Sequence, residues 1–156
     1  MKKQASMLIS ALVLLPMADR ATAGDIRIDA IGARLFYETT GTLSDDIIQS
    51  RPTLWNTTIG AGDAKEPANS FLAIVALSGP PDSFEEQTLA IKITSKNPDG
   101  KSRTIIARTF EGLYFAGEGK LAKAVLAEDA VCGDVTISAS IGKQKRTETI
   151  AFGCGE

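Results

Sequence analysis

Period-two alternation of apolar and polar residues constrains this chain more than any other feature. Leu89, Ile91 and Ile93 recur at every second position against Thr88, Lys92 and Thr94. Only an extended strand places such residues on one face, because a helix would scatter them around its axis. The pattern returns in Ile26, Ile28 and Ala30, in Leu35, Tyr37 and Thr39, in Val135 to Ile141, and in Arg146 to Phe152. Phe71 to Leu77 is an unbroken apolar run, as expected of a central strand. Thr53 to Ile59 carries the single tryptophan, and Arg103 to Phe115 forms a long β-rich run that Gly112 is expected to bend or bulge.

Turn formers divide these runs. Asn97-Pro98-Asp99-Gly100 predicts a hairpin between Leu89–Thr94 and Arg103–Thr109, and Gly79-Pro80-Pro81-Asp82 closes the run before it. Strands at this spacing, with almost no helical period, predict an all-β fold. The expectation is an antiparallel β-sandwich of about eight strands, immunoglobulin-like, with a barrel as the alternative. Two segments are ambiguous. Lys120 to Ala130 is rich in helix formers but is read as a strand, because its neighbours are strands. Thr42 to Ile47 is read as one helical turn capped by Ser44, or as a continuation of the first strand.

The two cysteines sharpen the picture. Cys132 and Cys154 lie symmetrically about Lys143, inside the turn Gly142-Lys143-Gln144-Lys145, so they are expected to meet across a C-terminal hairpin as a disulfide. A bridge between opposite sheets is the rival reading. Placing Val135, Ile137, Ala139 and Ile141 on one face with Ile150 and Phe152 predicts that 137 pairs with 150 and 135 with 152. A bulge at Gly133-Asp134 would then bring the cysteines opposite each other. A metal site on this cysteine pair would need further ligands, and the chain has no histidine.

The N-terminus reads as a cleavable export signal over residues 1–23. Lys2 and Lys3 precede an apolar stretch densest from Met7 to Met17, and Ala21-Thr22-Ala23 supplies the small residues a signal peptidase accepts. That apolar stretch is far shorter than the roughly 20 residues of a membrane-spanning helix. Residues 24–156 would then form one domain in an oxidising space, periplasmic in a Gram-negative source and extracellular otherwise. They carry 14 basic and 18 acidic residues, a net charge of −4. Scattered, mildly acidic charge argues against nucleic acid. The one basic cluster, Lys143, Lys145 and Arg146, is read as a solvated hairpin tip.

The search for chemistry is mostly one of elimination. Without histidine, the triads built on it are absent. Ser78-Gly79 is a strand end and not a nucleophile elbow, and Gly100-Lys101-Ser102 lacks the glycine a phosphate loop needs five positions earlier. Glu128, Asp129 and Asp134 near Cys132, and the Asp45-Asp46 pair, are read as solvated loop acids in the absence of a calcium-loop order. Asn56-Thr57-Thr58 matches a glycosylation sequon. Trp55, Tyr37 and Tyr114 are expected to pack in the core with their polar ends at the rim. No catalytic residue, metal or cofactor is assigned. The polar connection containing Gly60, Gly62, Asp63, Lys65 and Glu66 is the candidate contact loop. These readings favour a non-catalytic exported module that binds another exported protein or joins an envelope assembly. An inhibitor of a secreted enzyme and a carboxylate-dependent hydrolase are the alternatives.

Overall fold

A computed structural model describes residues 26–55, 62–96, 99–128 and 132–154. The signal-like segment 1–23, Gly60, the sequon at Asn56, the turn residues Asn97 and Pro98, and Asp129 lie outside the described residues. Seven long strands carry the fold: β1 (Arg27–Tyr37), β4 (Ser70–Ser78), β6 (Leu89–Lys96), β7 (Ser102–Phe110), β9 (Lys120–Glu128), β10 (Gly133–Ile141) and β11 (Gln144–Gly153). Short strands β2 (Thr42–Leu43), β3 (Leu54–Trp55), β5 (Ser83–Glu85) and β8 (Leu113–Phe115) and one short helix, α1 (Ile47–Ser50), complete it.

The strands form two packed sheets, ordered β2-β1-β4-β9 and β3-β11-β10-β6-β7, with β5 and β8 as a separate two-stranded ribbon. Neighbours pair antiparallel except β3, which runs parallel to β11. The long strands thus start in the first sheet with β1 and β4, cross to the second with β6 and β7, return through β9 and close in the second, while the short β3 touches the second sheet before β4. This order is that of an immunoglobulin-like β-sandwich. The core lies between the sheets. From one side come Ala33, Leu35, Phe71, Ala73, Val75 and Leu77; from the other come Leu89, Ile91, Ile93, Val135, Ile137 and Phe152. Burying each larger apolar side chain contributes about 1.5–3 kcal/mol. Phe71 and Phe152 touch across the interface, with ring centroids 6.4 Å apart.

The apolar run of β4 sits between β1 and β9, as its composition predicts. Residues 120–128 are a strand paired along their whole length to β4, from Ser70↔Glu128 to Ser78↔Lys120. Pairing to a central strand and burial of Val125 and Ala127 outweigh the helical propensity of the segment. In β1 the inward parity changes from the even positions Ile26 and Ile28 to the odd positions Ile31, Ala33, Leu35 and Tyr37, and a bulge between Ile28 and Ala30 absorbs the extra residue.

Other expectations are corrected. Arg103 to Phe115 is not one bent strand. Gly112, at φ 64°, breaks it, so β7 stays on the edge of the second sheet while β8 pairs with β5. Residue 44 is not the helix cap. The Asp46 carboxylate takes that role, accepting the Ile48 N–H at 2.9 Å, while Ser44 Oγ accepts the Leu35 N–H at 2.9 Å on the edge of β1.

At the C-terminus the disulfide and the hairpin both form. Cys132 and Cys154 are bonded, with Cα atoms 4.8 Å apart, at the open end of the β10–β11 hairpin and within one sheet. The register differs from expectation by two residues. Val135 pairs with Ile150 and Ile137 with Glu148, the ladder runs unbroken to Gly133↔Phe152, and no bulge occurs at Gly133-Asp134. The reason is the turn. Gly142, at φ 54°, lets Gly142-Lys143 close as a two-residue loop, so the hairpin is tighter than a four-residue turn allows. Parity is unchanged by a two-residue shift, so the apolar residues still share the core face. Gln144, Arg146 and Glu148 have the same parity, and the shift sets them opposite Ile141, Ala139 and Ile137.

Candidate interaction surfaces

Two regions present side chains in arrangements able to engage a partner. The first is the flank where β2, α1 and β3 cross from one sheet to the other. Here the backbone edge of β1 is served largely by side chains. The Gln144 amide donates to the Ile26 carbonyl and accepts the Ile28 N–H at 3.4 Å. Arg146 donates to the Asp29 carbonyl, Asp46 accepts the Ala33 N–H at 3.2 Å, and Ser44 accepts from Leu35. Arg146 is exposed, as are Lys143 and Lys145, but it also reaches across to β1 and lies 3.6 Å from Glu148.

Two clefts open on this flank and share Ile47 and Pro52. One, of about 380 Å³, lies between α1 and the Glu148–Ala151 stretch of β11. The other, of about 180 Å³, is lined by Tyr37, Asp45, Asp63 and Lys65 among others. The candidate loop residues Asp63 and Lys65 thus reach a cleft, but the loop is held down. Asp63 Oδ2 accepts the Thr53 N–H at 2.8 Å, and the Asp63 N–H donates to the Thr53 carbonyl at 2.8 Å. The Lys65 N–H donates to the Tyr37 hydroxyl at 3.4 Å, and Thr40 donates to Glu66 Oε2 at 3.2 Å. At Gly62 a β-carbon would lie 2.2 Å from the Thr53 carbonyl oxygen, so the close approach requires glycine.

The second region is the β5–β8 ribbon at one pole of the sandwich. Alternation points Leu113 and Phe115 into the core and leaves Tyr114 outside, opposite Phe84 in register. Phe84 is 66% exposed and Tyr114 54%, the two most exposed large apolar side chains among the described residues. The Phe84 ring rests over Gly112, where a β-carbon would meet it at 2.8 Å. Sequence reading expected Tyr114 and Trp55 in the core. Tyr37 is buried there, but Trp55 is 43% exposed and lies across Gly62 and Gly153. Phe84 was missed because a lone aromatic between Pro80-Pro81 and Glu85-Glu86 carries no period; the Leu113-Tyr114-Phe115 alternation was the available signal for Tyr114.

Among the described residues, no three His, Cys, Asp or Glu side chains are placed to hold a metal ion. Asp46 is engaged as a cap and Asp45 lines the smaller cleft. Asp134 lies on β10 and Glu128 ends β9. No described helix is long and apolar enough to cross a membrane.

No family model matches the sequence, and no curated protein matches it. Among solved structures, an immunoglobulin-like protein from Pseudomonas aeruginosa is similar at 14% sequence identity. The match covers 86% of this chain and 100% of that one, with a TM-score of 0.48. The fold assignment rests on the strand order described above.

Proposed function

We propose that this chain is an exported, non-catalytic β-sandwich module that binds another exported protein, alone or within an envelope assembly, through the ribbon bearing Phe84 and Tyr114. The observation that carries this reading is the placing of two exposed aromatic residues directly opposite each other in register on the solvent face of a short ribbon. Exposed aromatics of this kind supply large contact area at low entropic cost, and they are enriched where proteins meet. The Gly62–Glu66 loop lies on the β2–α1–β3 flank and serves in this reading as a secondary contact. The signal-like N-terminus and the disulfide are compatible with an oxidising compartment.

The test is capture from the envelope fraction of the source organism, comparing the wild type with the Phe84→Ala/Tyr114→Ala variant. Retention of one defined protein by the wild type and its loss from the variant is the expected result. Equal capture by both forms, or no capture together with turnover of a substrate panel, would overturn the proposal.

A further inference from the structure

The charge around the two exposed rings is one-sided. Residues 79–88 and 110–119, which carry β5 and β8 and their connections, contain Asp82, Glu85, Glu86, Glu111 and Glu118 and no basic residue. None of these five carboxylates forms an ion pair among the described residues. Asp82 accepts the Gly117 N–H at 2.8 Å, which ties the two connections together and brings their acids to one pole. Cations stand at the border: Arg108 and Lys123 lie over Phe110, Lys120 is paired with Asp29, and Lys143 sits on the hairpin loop whose Gly142 adjoins Gln87.

A neighbouring aromatic shows how this protein treats a ring whose cation is its own. Phe110, at the end of β7, has the Lys123 ammonium 5.5 Å and the Arg108 guanidinium 5.9 Å from its centroid. Phe84 and Tyr114 have no such cation among the described residues. Both side chains are largely exposed, and the neighbouring carboxylates create a negative potential that draws cations toward them.

We propose that this pole binds an extended, lysine- or arginine-rich segment of the partner protein, with cationic side chains over Phe84 and Tyr114 and flanking charges against Glu85, Glu86, Glu111 and Glu118. The inference rests on the protein-binding reading and adds the chemical class of the partner. Both contributions act in the same direction: the carboxylates accelerate encounter and the rings hold the cation once water is displaced.

The probe is a fluorescein-labelled twelve-residue peptide of alternating lysine and serine, with glutamate–serine and asparagine–serine peptides as comparisons, titrated against the exported protein by fluorescence anisotropy. The lysine peptide is expected to bind at least ~10-fold more tightly than either comparison. Because the Debye length falls from ~10 Å at 0.1 M to ~3 Å at 1 M salt, its affinity should drop steeply over that range. Phe84→Ala/Tyr114→Ala and the quadruple Glu85→Gln/Glu86→Gln/Glu111→Gln/Glu118→Gln variant should each weaken it by ~10-fold, a loss typical of central interface residues. The substituted side chains are exposed except for the half-buried Glu85, and an unchanged melting temperature verifies folding; the single Tyr114→Ala replaces any variant that fails this check. Equal affinity for the three peptides, or no effect of either variant, overturns the cationic partner. If the partner captured from the envelope depends on Phe84 and Tyr114 but is indifferent to the four glutamines, the cationic class is refuted while the protein-binding reading stands. Loss of that capture result refutes both.

Discussion

Gly32 leaves the space that the Asp46 carboxylate occupies: a β-carbon on Gly32 would lie 2.6 Å from Asp46 Oδ2. Through that gap Asp46 does two jobs at once. It caps α1 by accepting the Ile48 N–H, and it satisfies the Ala33 N–H on the edge of β1. One side chain thereby ties the crossover segment to the first sheet, and Ile47, next to it, is buried. Asp46→Ala is expected to cost about 2 kcal/mol, since it removes a cap and leaves a strand N–H without its partner. Gly32→Ala should be comparably harmful, because the carboxylate must move to admit the methyl group. Urea denaturation of both variants checks this, and a loss below ~0.5 kcal/mol in each would contradict it.

Acid should weaken one specific tie. The Ser78 hydroxyl donates to Asp29 at 2.8 Å, and the Lys120 ammonium lies 3.2 Å from its other oxygen. These interactions, with a weaker attraction from Arg27, outweigh partial desolvation and hold the Asp29 carboxyl below its usual value of 3.8. A lowered folded-state value means that the stabilisation is complete above the unfolded value and is lost as pH falls through the folded one. Wild type should therefore exceed Asp29→Asn in stability at neutral pH. The difference should shrink below about pH 4 and vanish once the native carboxyl is protonated. Because the pair is solvent-exposed, the effect is small and should be reduced further by salt. Denaturation midpoints of both proteins across that pH range provide the measurement.

The disulfide closes a loop with a sequence separation of 22. Constraining such a loop in the unfolded chain contributes about 3 kcal/mol on the chain-entropy account. Cys132→Ser/Cys154→Ser should lose an amount of that order, read from denaturant midpoints, with the strand spectrum retained. The hairpin needs no staple to choose its register, because the Gly142-Lys143 loop and the core face already do so.

Gly142 makes that loop possible. At φ 54° an L-residue is strained, and a β-carbon there would stand 3.2 Å from Gln87 Oε1. Gly142→Ala is expected to cost about 1 kcal/mol. Hydrogen exchange should show the loss as faster opening of the Gln144–Ile141 end of the hairpin. Unchanged protection there would argue against the tight turn.

The extent of sequence legibility follows the range of the interactions. Strand identity in β1, β4, β6, β10 and β11, the core face of β6, β10 and β11 and the pairing of the cysteines were readable, because alternation and a symmetric cysteine spacing are local signals. In β1 the bulge after Ile28 turns Ala30 outward against expectation. The register of β10 against β11 was readable only to parity. A two-residue slip preserves which side chains face inward, so hydrophobic pattern cannot detect it, and the turn geometry decides.

The candidate surfaces were less legible. Asp63 and Lys65 were singled out for polarity, yet their backbone is engaged by Thr53 and Tyr37, residues far enough along the chain that only folding brings them near. Phe84 and Tyr114 are separated by some 30 residues and become a pair only when β5 and β8 align.

By itself, the order of residues determined an all-β architecture with a cross-linked C-terminal hairpin, because side-chain period and turn chemistry act over a few bonds. Tertiary structure alone decided that Gly112 would end one sheet and start a ribbon, that Asp46 and not Ser44 would cap α1, and that two rings would stand together among carboxylates. Each of those outcomes depends on which distant backbone arrives alongside, and such meetings are set by the packing of whole sheets.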